Sequence, residues 1–432
     1  VTAYVIVGNS VGCIGAVEAI RQVDDKSGIQ VISEEAYPAY SRPQIANYLA
    51  GEVDVEQTLY RRRSFYRDYG VELLLGRSVV GVDPDQRLVR LDDGRAFSWD
   101  RLLLATGGSP IVPPVQNLPE NGYLTFTTMA DAQRIKERLP DLESAVVVGG
   151  GLIGLSVTEA LVKLGVETTI VELAPQILGR ALDTVVAAQV QTLMENKGVR
   201  ILTHCSVDAV RDLDPSGQRG VAVLSNGVTL DYDALIMAIG VRPRTELAVD
   251  AGIEVNRGIV VDAYMRTSVD GIYACGDVAE AYDFLADATR LTPVWPNAYA
   301  GGRVAGLNMA GQEATYEGGT GMNALHSFGY PILSAGTVAP PSDDGYQVLT
   351  AQTAHDHGYK KLILRDGRIA GFLFAGDIDR VGVVYGLMKQ GVEVSSYAEK
   401  LIGDDTGLIA LPPASRFDLL RAKGVARRML EN

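Results

Sequence analysis

Cysteine is the first shortage. Only three occur among 432 residues, Cys13, Cys205 and Cys275, and no two form a CxxC pair. Neither a disulfide framework nor a cysteine-ligated iron–sulfur cluster can be assembled from thiols so few and so far apart. Histidine is almost as scarce, and His326, His355 and His357 lack further acids or thiols at ligand spacing, so no metal is expected. Long apolar runs are missing too, since none approaches the ~18 residues that a membrane helix needs. The chain enters strand-like sequence at Tyr4 with no basic leader before it, which sets the expectation of a cytoplasmic protein without a membrane span. Positive charge is in deficit, with 39 lysines and arginines against 53 acids and a formal net charge of −14. That sign opposes a nucleic-acid backbone.

What is present fits a soluble protein of several domains. Apolar residues make up 47% and charged residues 21%, a globular balance, and the length leaves room for several cores at roughly 100 to 200 residues each. Tyr4 to Val7 is an apolar run closed by Gly8, after which Ile14, Val17 and Ile20 recur at helical spacing, and Ile29 to Ile32 reads as a second buried strand. The same order returns at Ala145 to Val148, Leu152 to Leu164 and Thr168 to Glu172. Two βαβ units thus open on glycine-rich turns about 140 residues apart.

Gly107, Gly108, Pro110, Pro113 and Pro114 read as a turn-rich crossing between domains, and a second break falls at Glu317 to Gly321. Beyond it Ile332 to Val338, Gly345 to Thr350 and Lys361 to Phe374 alternate as strands, the last folded at Asp366 and Gly367. Val381 to Met388 and Phe417 to Met429 look helical. The expected fold is therefore α/β, with two Rossmann-like dinucleotide-binding domains and a smaller C-terminal α+β domain. Residues 1–110 and 238–316 form the first domain in two parts, 111–237 the second, and 317–432 the third.

The second turn carries the more complete motif. Gly149, Gly151 and Gly154, with Leu152 and Ile153 between the last two, stand between strand and helix as G-x-G-x-x-G. The first glycine makes the turn, the second admits a pyrophosphate, the third lets helix meet strand, and the helix N-terminus attracts the phosphates. Glu172 follows about 20 residues later, where a carboxylate accepts both ribose hydroxyls and repels a 2′-phosphate, so this unit is expected to take NAD rather than NADP. The first turn is degenerate: Gly8, Asn9, Ser10, Val11, Gly12, Cys13 puts serine and cysteine at the second and third glycine positions. Ser10 still admits a pyrophosphate, and Cys13 is small enough for packing. Glu34 and Glu35 are the candidate ribose acids of this unit, with a solvated surface role open for one of them.

Ala105, Thr106 and Gly107 after one apolar strand, and Ala274, Cys275, Gly276 and Asp277 after another, resemble the two flavin motifs of the FAD-dependent pyridine-nucleotide oxidoreductases. Tyr40, Ser41, Arg42 and Pro43, followed by Tyr48 to Gly51, look like the branch that holds rubredoxin and ferredoxin reductases, apoptosis-inducing factor and the flavin half of nitrite reductase. The resemblance implies FAD in the first unit and NAD in the second. It also implies roles for single residues. Asp277 would bond the ribityl chain and Arg42 the FAD phosphates, while Asn47 stands where many relatives place a lysine. Val79 would meet the adenine through its backbone, and Thr292, Pro293 and Val294 would line the pyrimidine edge of the flavin. A helix starting near Trp295 would aim N–H groups at the same edge. Gly240 completes the cofactor-binding set, and Ser156 stands where relatives often have a glutamate near the flavin.

The missing cysteines bear on the reaction. Disulfide reductases of this family carry two on the first long helix, and related coenzyme A disulfide reductases and NADH oxidases carry one near residues 41 to 47, where this chain has none. The resemblance then implies NAD(H)–FAD hydride exchange coupled to an external iron–sulfur protein or subunit, and no catalytic side chain is assigned. Asn9, Ser10, Trp295 to Tyr299 and Asn323 to His326 look most like FAD subunits of anaerobic complexes, such as phenylglyoxylate dehydrogenase and an NAD-reducing aldehyde oxidoreductase. A free-standing ferredoxin or rubredoxin reductase and a redox-responsive FAD/NADH-binding protein remain the alternatives. Arg61, Arg62 and Arg63, and the basic residues Arg421, Lys423, Arg427 and Arg428, are candidate partner-docking runs, with a solvated helix face as the plain reading. His326 is a candidate neighbour of the flavin or a loop hydrogen-bonder.

Overall fold

The computed structural model describes residues 2–341, 345–352 and 358–403. The expected helix at Phe417 to Met429, the basic run beside it, His355 and His357 lie outside the described residues. In chain order the first unit opens with strand β1 (Ala3–Val7), helix α1 (Val11–Val23) and strand β2 (Gly28–Ser33), and adds β3 (Val71–Leu75) and β4 (Arg101–Leu104). A short strand β5 (Gly108–Pro110) leads to β6 (Leu124–Thr125), β7 (Ser144–Val148), α2 (Leu152–Lys163), β8 (Glu167–Val171), β9 (Arg200–Leu202) and β10 (Ala234–Met237). The chain returns through β11 (Val241–Pro243) to β12 (Ile272–Ala274) and helix α3 (Trp295–Met309).

Two five-stranded parallel sheets result, ordered β12-β4-β1-β2-β3 and β9-β8-β7-β10-β6. Their central strands are apolar on both faces, which is what a parallel sheet covered by helices on each side requires. Ile6, Val31, Leu102 and Leu103 are fully buried in the first sheet, and Val147, Ile170 and Ile236 in the second. The crossing that reads as a linker is ordered: β5 pairs antiparallel with β11, so the outgoing and returning chain tie each other through Gly108 to Pro243 and Pro110 to Val241. Proline tolerates this because a two-stranded ribbon leaves one side of each strand unbonded.

Helices α1 and α3 cross at backbone distance. A Cβ on Gly302 would fall 2.0 Å from the Gly12 oxygen, and one on Gly306 2.5 Å from the Ala16 oxygen. Gly12 meets the start of α3 and Ala16 its later turns, so the two helices run parallel with their N-termini at one end.

By contacts the chain divides into two compact units, the first holding residues up to Leu173 and Gly198–Thr320. The second takes Ala174–Lys197 together with the residues from Gly321 onward. Its antiparallel sheet is ordered β13-β14-β17-β16-β15, from β13 (Met322–Ser327), β14 (Tyr330–Gly336), β15 (Tyr346–Gln352), β16 (Tyr359–Arg365) and β17 (Arg368–Ala375). Phe372 and Phe374 fill its core. The helix Thr184–Glu195 is latched there by its capping residue: Asp183 accepts from Tyr359 Oη and Lys361 Nζ, each at 2.9 Å. Among the described residues no helix is long and apolar enough to cross a membrane.

Candidate dinucleotide sites

In the first sheet the chemistry-bearing turns follow the C-terminal ends of neighbouring strands, the place where open α/β sheets bind ligands. Gly8 to Ser10 follows β1, Glu34 and Glu35 follow β2, Ala105 to Gly107 follows β4, and Cys275 to Asp277 follows β12. Gly8 has φ +106°, and a Cβ there would lie 2.1 Å from the Ala105 oxygen, so only glycine fits. The second sheet repeats this: Gly149 has φ +111°, and its Cβ would lie 2.6 Å from the Ala238 oxygen. Gly8 N donates to Ile32 O and Gly149 N to Val171 O, both at 2.8 Å. The duplication therefore reaches further than the glycine turns. Ala105, Thr106, Gly107 are matched by Ala238, Ile239, Gly240, and Ser33, rather than Glu34 or Glu35, holds the position of Glu172.

The two expected binding turns differ in how they are used. At Gly154 a Cβ would fall 1.9 Å from the Gly149 oxygen, whereas at Gly151 nothing lies within 4 Å. One glycine serves packing and the other leaves room for a ligand at the N-terminus of α2, where Leu152 is exposed and Ile153 half-buried. Glu172 accepts from Gly150 N at 2.6 Å, which fixes its carboxylate beside that turn. In the first unit, Ser10 caps α1 without a side-chain bond, Gly12 lies in the helix crossing where a Cβ would fall 2.9 Å from Cys275 Sγ, and Cys13 is fully buried. Asn9 is held by Tyr66 Oη at 2.7 Å.

Asp277 occupies the turn after β12 and makes no hydrogen bond or ion pair with any described residue. Burial raises its carboxyl above the ordinary range, and the charge of Arg42 offsets part of that rise. A half-buried carboxylate without a protein hydrogen bond is stabilised when a ligand donates to it. The N-terminus of α3 is likewise uncapped by any side chain, and Trp295 Nε1 is buried without a partner among the described residues. These three features fit a polar group bound where the expected flavin would lie. Val294 is the N-cap of α3, Thr292 accepts from Val294 N at 2.8 Å, and Pro293 is exposed.

Arg42 pairs with Glu35 at 2.5 Å and donates to Thr127 O, and Glu35 also accepts from Tyr40 Oη. Glu35 thus holds both Arg42 and Tyr40, and Glu34 pairs with Arg244. Asn47 donates to Gln44 at 2.8 Å, and Val79 begins a strand, half-buried. Ser156 is exposed and donates to Leu152 O within its helix. The arginine run is balanced internally, Arg61 on Glu18, Arg62 on Asp68 and Arg63 on Glu56. His326 is exposed on β13. All three cysteines are buried. Burial pushes the Cys13 and Cys275 thiols up, Cys275 to about 12. Arg244 escaped notice in sequence, because a lone arginine in a turn carries no periodic signal.

Comparison with known proteins gives two family matches: residues 2–302 to pyridine nucleotide-disulphide oxidoreductase and residues 322–392 to the rubredoxin NAD+ reductase C-terminal domain. The epsilon subunit of an NADH-dependent phenylglyoxylate dehydrogenase from Aromatoleum evansii is 30% identical over 406 residues, covering 93% of this chain and 95% of that protein. A rubredoxin-NAD(+) reductase of Pseudomonas putida is 32% identical over 294 residues, 68% of this chain and 76% of the relative. Among solved structures, putidaredoxin reductase in covalent complex with putidaredoxin superposes with a TM-score of 0.84 at 25% identity, covering 98% of this chain and 99% of that one.

Proposed function

Because the chain belongs to the pyridine nucleotide-disulphide oxidoreductase family, as an NAD(H)-dependent oxidoreductase with FAD and NAD(H) as cofactors, we propose that it exchanges electrons with an external iron–sulfur protein or subunit. In this reading residues 1–110 with 238–316 hold FAD, residues 111–237 hold NAD(H), and residues from 317 onward form the smaller domain. When bound, FAD supplies the conversion between two-electron exchange with NAD(H) and one-electron exchange with an iron–sulfur centre. The protein's own residues bind and orient. The Gly8 to Ser10 turn and Arg42 take the phosphates, Asp277 the sugar-alcohol chain, and the N-terminus of α3 favours negative charge at the ring edge. At the second turn Glu172 accepts the ribose hydroxyls of NAD(H) and disfavours a 2′-phosphate.

The observation that carries the reaction class is the state of the thiols. Cys13 and Cys275 are sealed in the core with their pKa values raised, so neither presents the thiolate that a disulfide-type relay needs. Electrons then leave by transfer to a partner. The full-length likeness to the epsilon subunit supports a place in a larger anaerobic complex acting on a 2-oxoacid or an aldehyde, in the cytoplasm where NAD(H) is supplied. The C-terminal match supports the second reading, a free-standing rubredoxin or ferredoxin reductase.

Anaerobic stopped-flow tests the proposal. NADH should bleach the flavin rapidly, and a ferredoxin or rubredoxin should reoxidise it within the time of turnover. A long-lived charge-transfer complex that no iron–sulfur acceptor discharges would instead mark a nucleotide-responsive binding protein. Native purification separates the two enzyme readings, co-eluting subunits supporting the complex and a lone chain the free reductase.

A further inference from the structure

Arg244 follows β11 and touches the ends of two other strands. Its backbone N donates to Gly107 O and its carbonyl accepts from Thr106 Oγ1, each at 3.0 Å. Its Nε donates to Ser109 Oγ at 2.7 Å, and its Nη1 pairs with Glu34. Thr106, Gly107 and Ser109 follow β4, and Glu34 follows β2. In the sheet β1 lies between those two strands. A link from the loop after β4 to the loop after β2 must therefore pass in front of the turn after β1, where Gly8 to Ser10 opens helix α1.

We infer that Arg244 is a positioning residue, a strap whose pairing with Glu34 closes the nucleotide end of the first crevice and slows the escape of a dinucleotide held there. The inference rests on the placement of FAD in that crevice. The strap is polar and reversible: the side chains of Arg244 and Glu34 are 30% and 46% exposed, so salt and water can part them. Its rigid side is the bond to Ser109 and the backbone pair with Gly107, which anchor Arg244 to the ordered crossing ribbon. Its more exposed side is Glu34, at the start of the loop after β2. Glu34 is then held by the strap, while Glu35 positions Arg42 deeper in the same site.

The test is the rate at which holoprotein releases FAD, followed by the recovery of flavin fluorescence across a range of salt concentrations. Arg244→Ala and Glu34→Ala should each accelerate release roughly two- to fivefold at low salt, the range of a partly exposed ion pair. The double variant should release no faster than either single one, Arg244→Lys should recover part of the loss, and salt should bring wild type toward the variants. Unchanged release in both single variants, or accelerations that multiply in the double, would overturn the strap. So would acceleration by Arg244→Ala alone with Glu34→Ala inert, which would assign the effect to the crossing ribbon. A wild-type chain that binds no FAD overturns the site reading as well, whereas FAD binding with unaltered release overturns the strap alone.

Discussion

Asp277 brings a carboxylate into a recess where burial raises its pKa and Arg42 supplies the charge that opposes the rise. In the apoprotein, stability from this group is fullest where the carboxyl is protonated and is lost as pH rises through its raised folded pKa. Asp277→Asn should therefore raise the apoprotein melting temperature at about pH 8, and the gain should shrink toward the ordinary aspartate range near pH 4. The same substitution should weaken FAD retention by about 1.5 to 3 kcal/mol, the scale of a lost charge-assisted bond. Calorimetry of the apoprotein and flavin content after gel filtration check the two halves; a melting shift independent of pH would mean that the carboxylate is solvated. The turn that carries Asp277 was legible in sequence because its motif is local. Glu34 and Glu35 were harder to tell apart, since they stand one and two positions past Ser33, the residue that matches Glu172, and their partners Arg244 and Arg42 are distant in sequence or structure-dependent.

Between strand and helix, the glycines of the second turn divide their work in a way the motif alone leaves mixed. Gly154→Ala places a Cβ 1.9 Å from the Gly149 oxygen, while Gly151→Ala points into open space. The first should cost about 1 to 3 kcal/mol of stability through forced backbone movement. The second should leave the melting temperature nearly unchanged and raise the KM for NADH. Thermal melts beside NADH titrations separate them, and equal loss of stability in both would contradict the assignment. The glycines of the α1–α3 crossing show the limit of reading from pattern. Gly12 looks like part of the nucleotide turn, yet its backbone oxygen is where a Cβ on Gly302 would collide. No local spacing announces a contact between helices whose paired residues Glu18 and Tyr299 lie 281 positions apart.

At the scale of the whole molecule, the duplicated βαβ order gave the two parallel sheets, because glycine turns and apolar strands are local and repeat. The helix Thr184–Glu195 was harder to place. Sequence continuity puts it inside residues 111–237, but its contacts group it with the strands after Gly321, through the Asp183 carboxylate on Tyr359 and Lys361. Chain order reports neighbours in sequence, and the charge pairing that recruits this helix spans distant segments.

With the thiols buried and their pKa values raised, bound FAD is the one acceptor of electrons from NADH among the described residues. The decisive measurement is an anaerobic titration of the oxidised holoprotein with NADH, read by flavin absorbance and by the appearance of free NADH. A flavin alone takes up about one equivalent of NADH per FAD before free NADH accumulates, and the variant Cys13→Ser, Cys205→Ser, Cys275→Ser should give the same end point. Uptake of about two equivalents, falling to one in that variant, would instead reveal a thiol pair that shares the electrons.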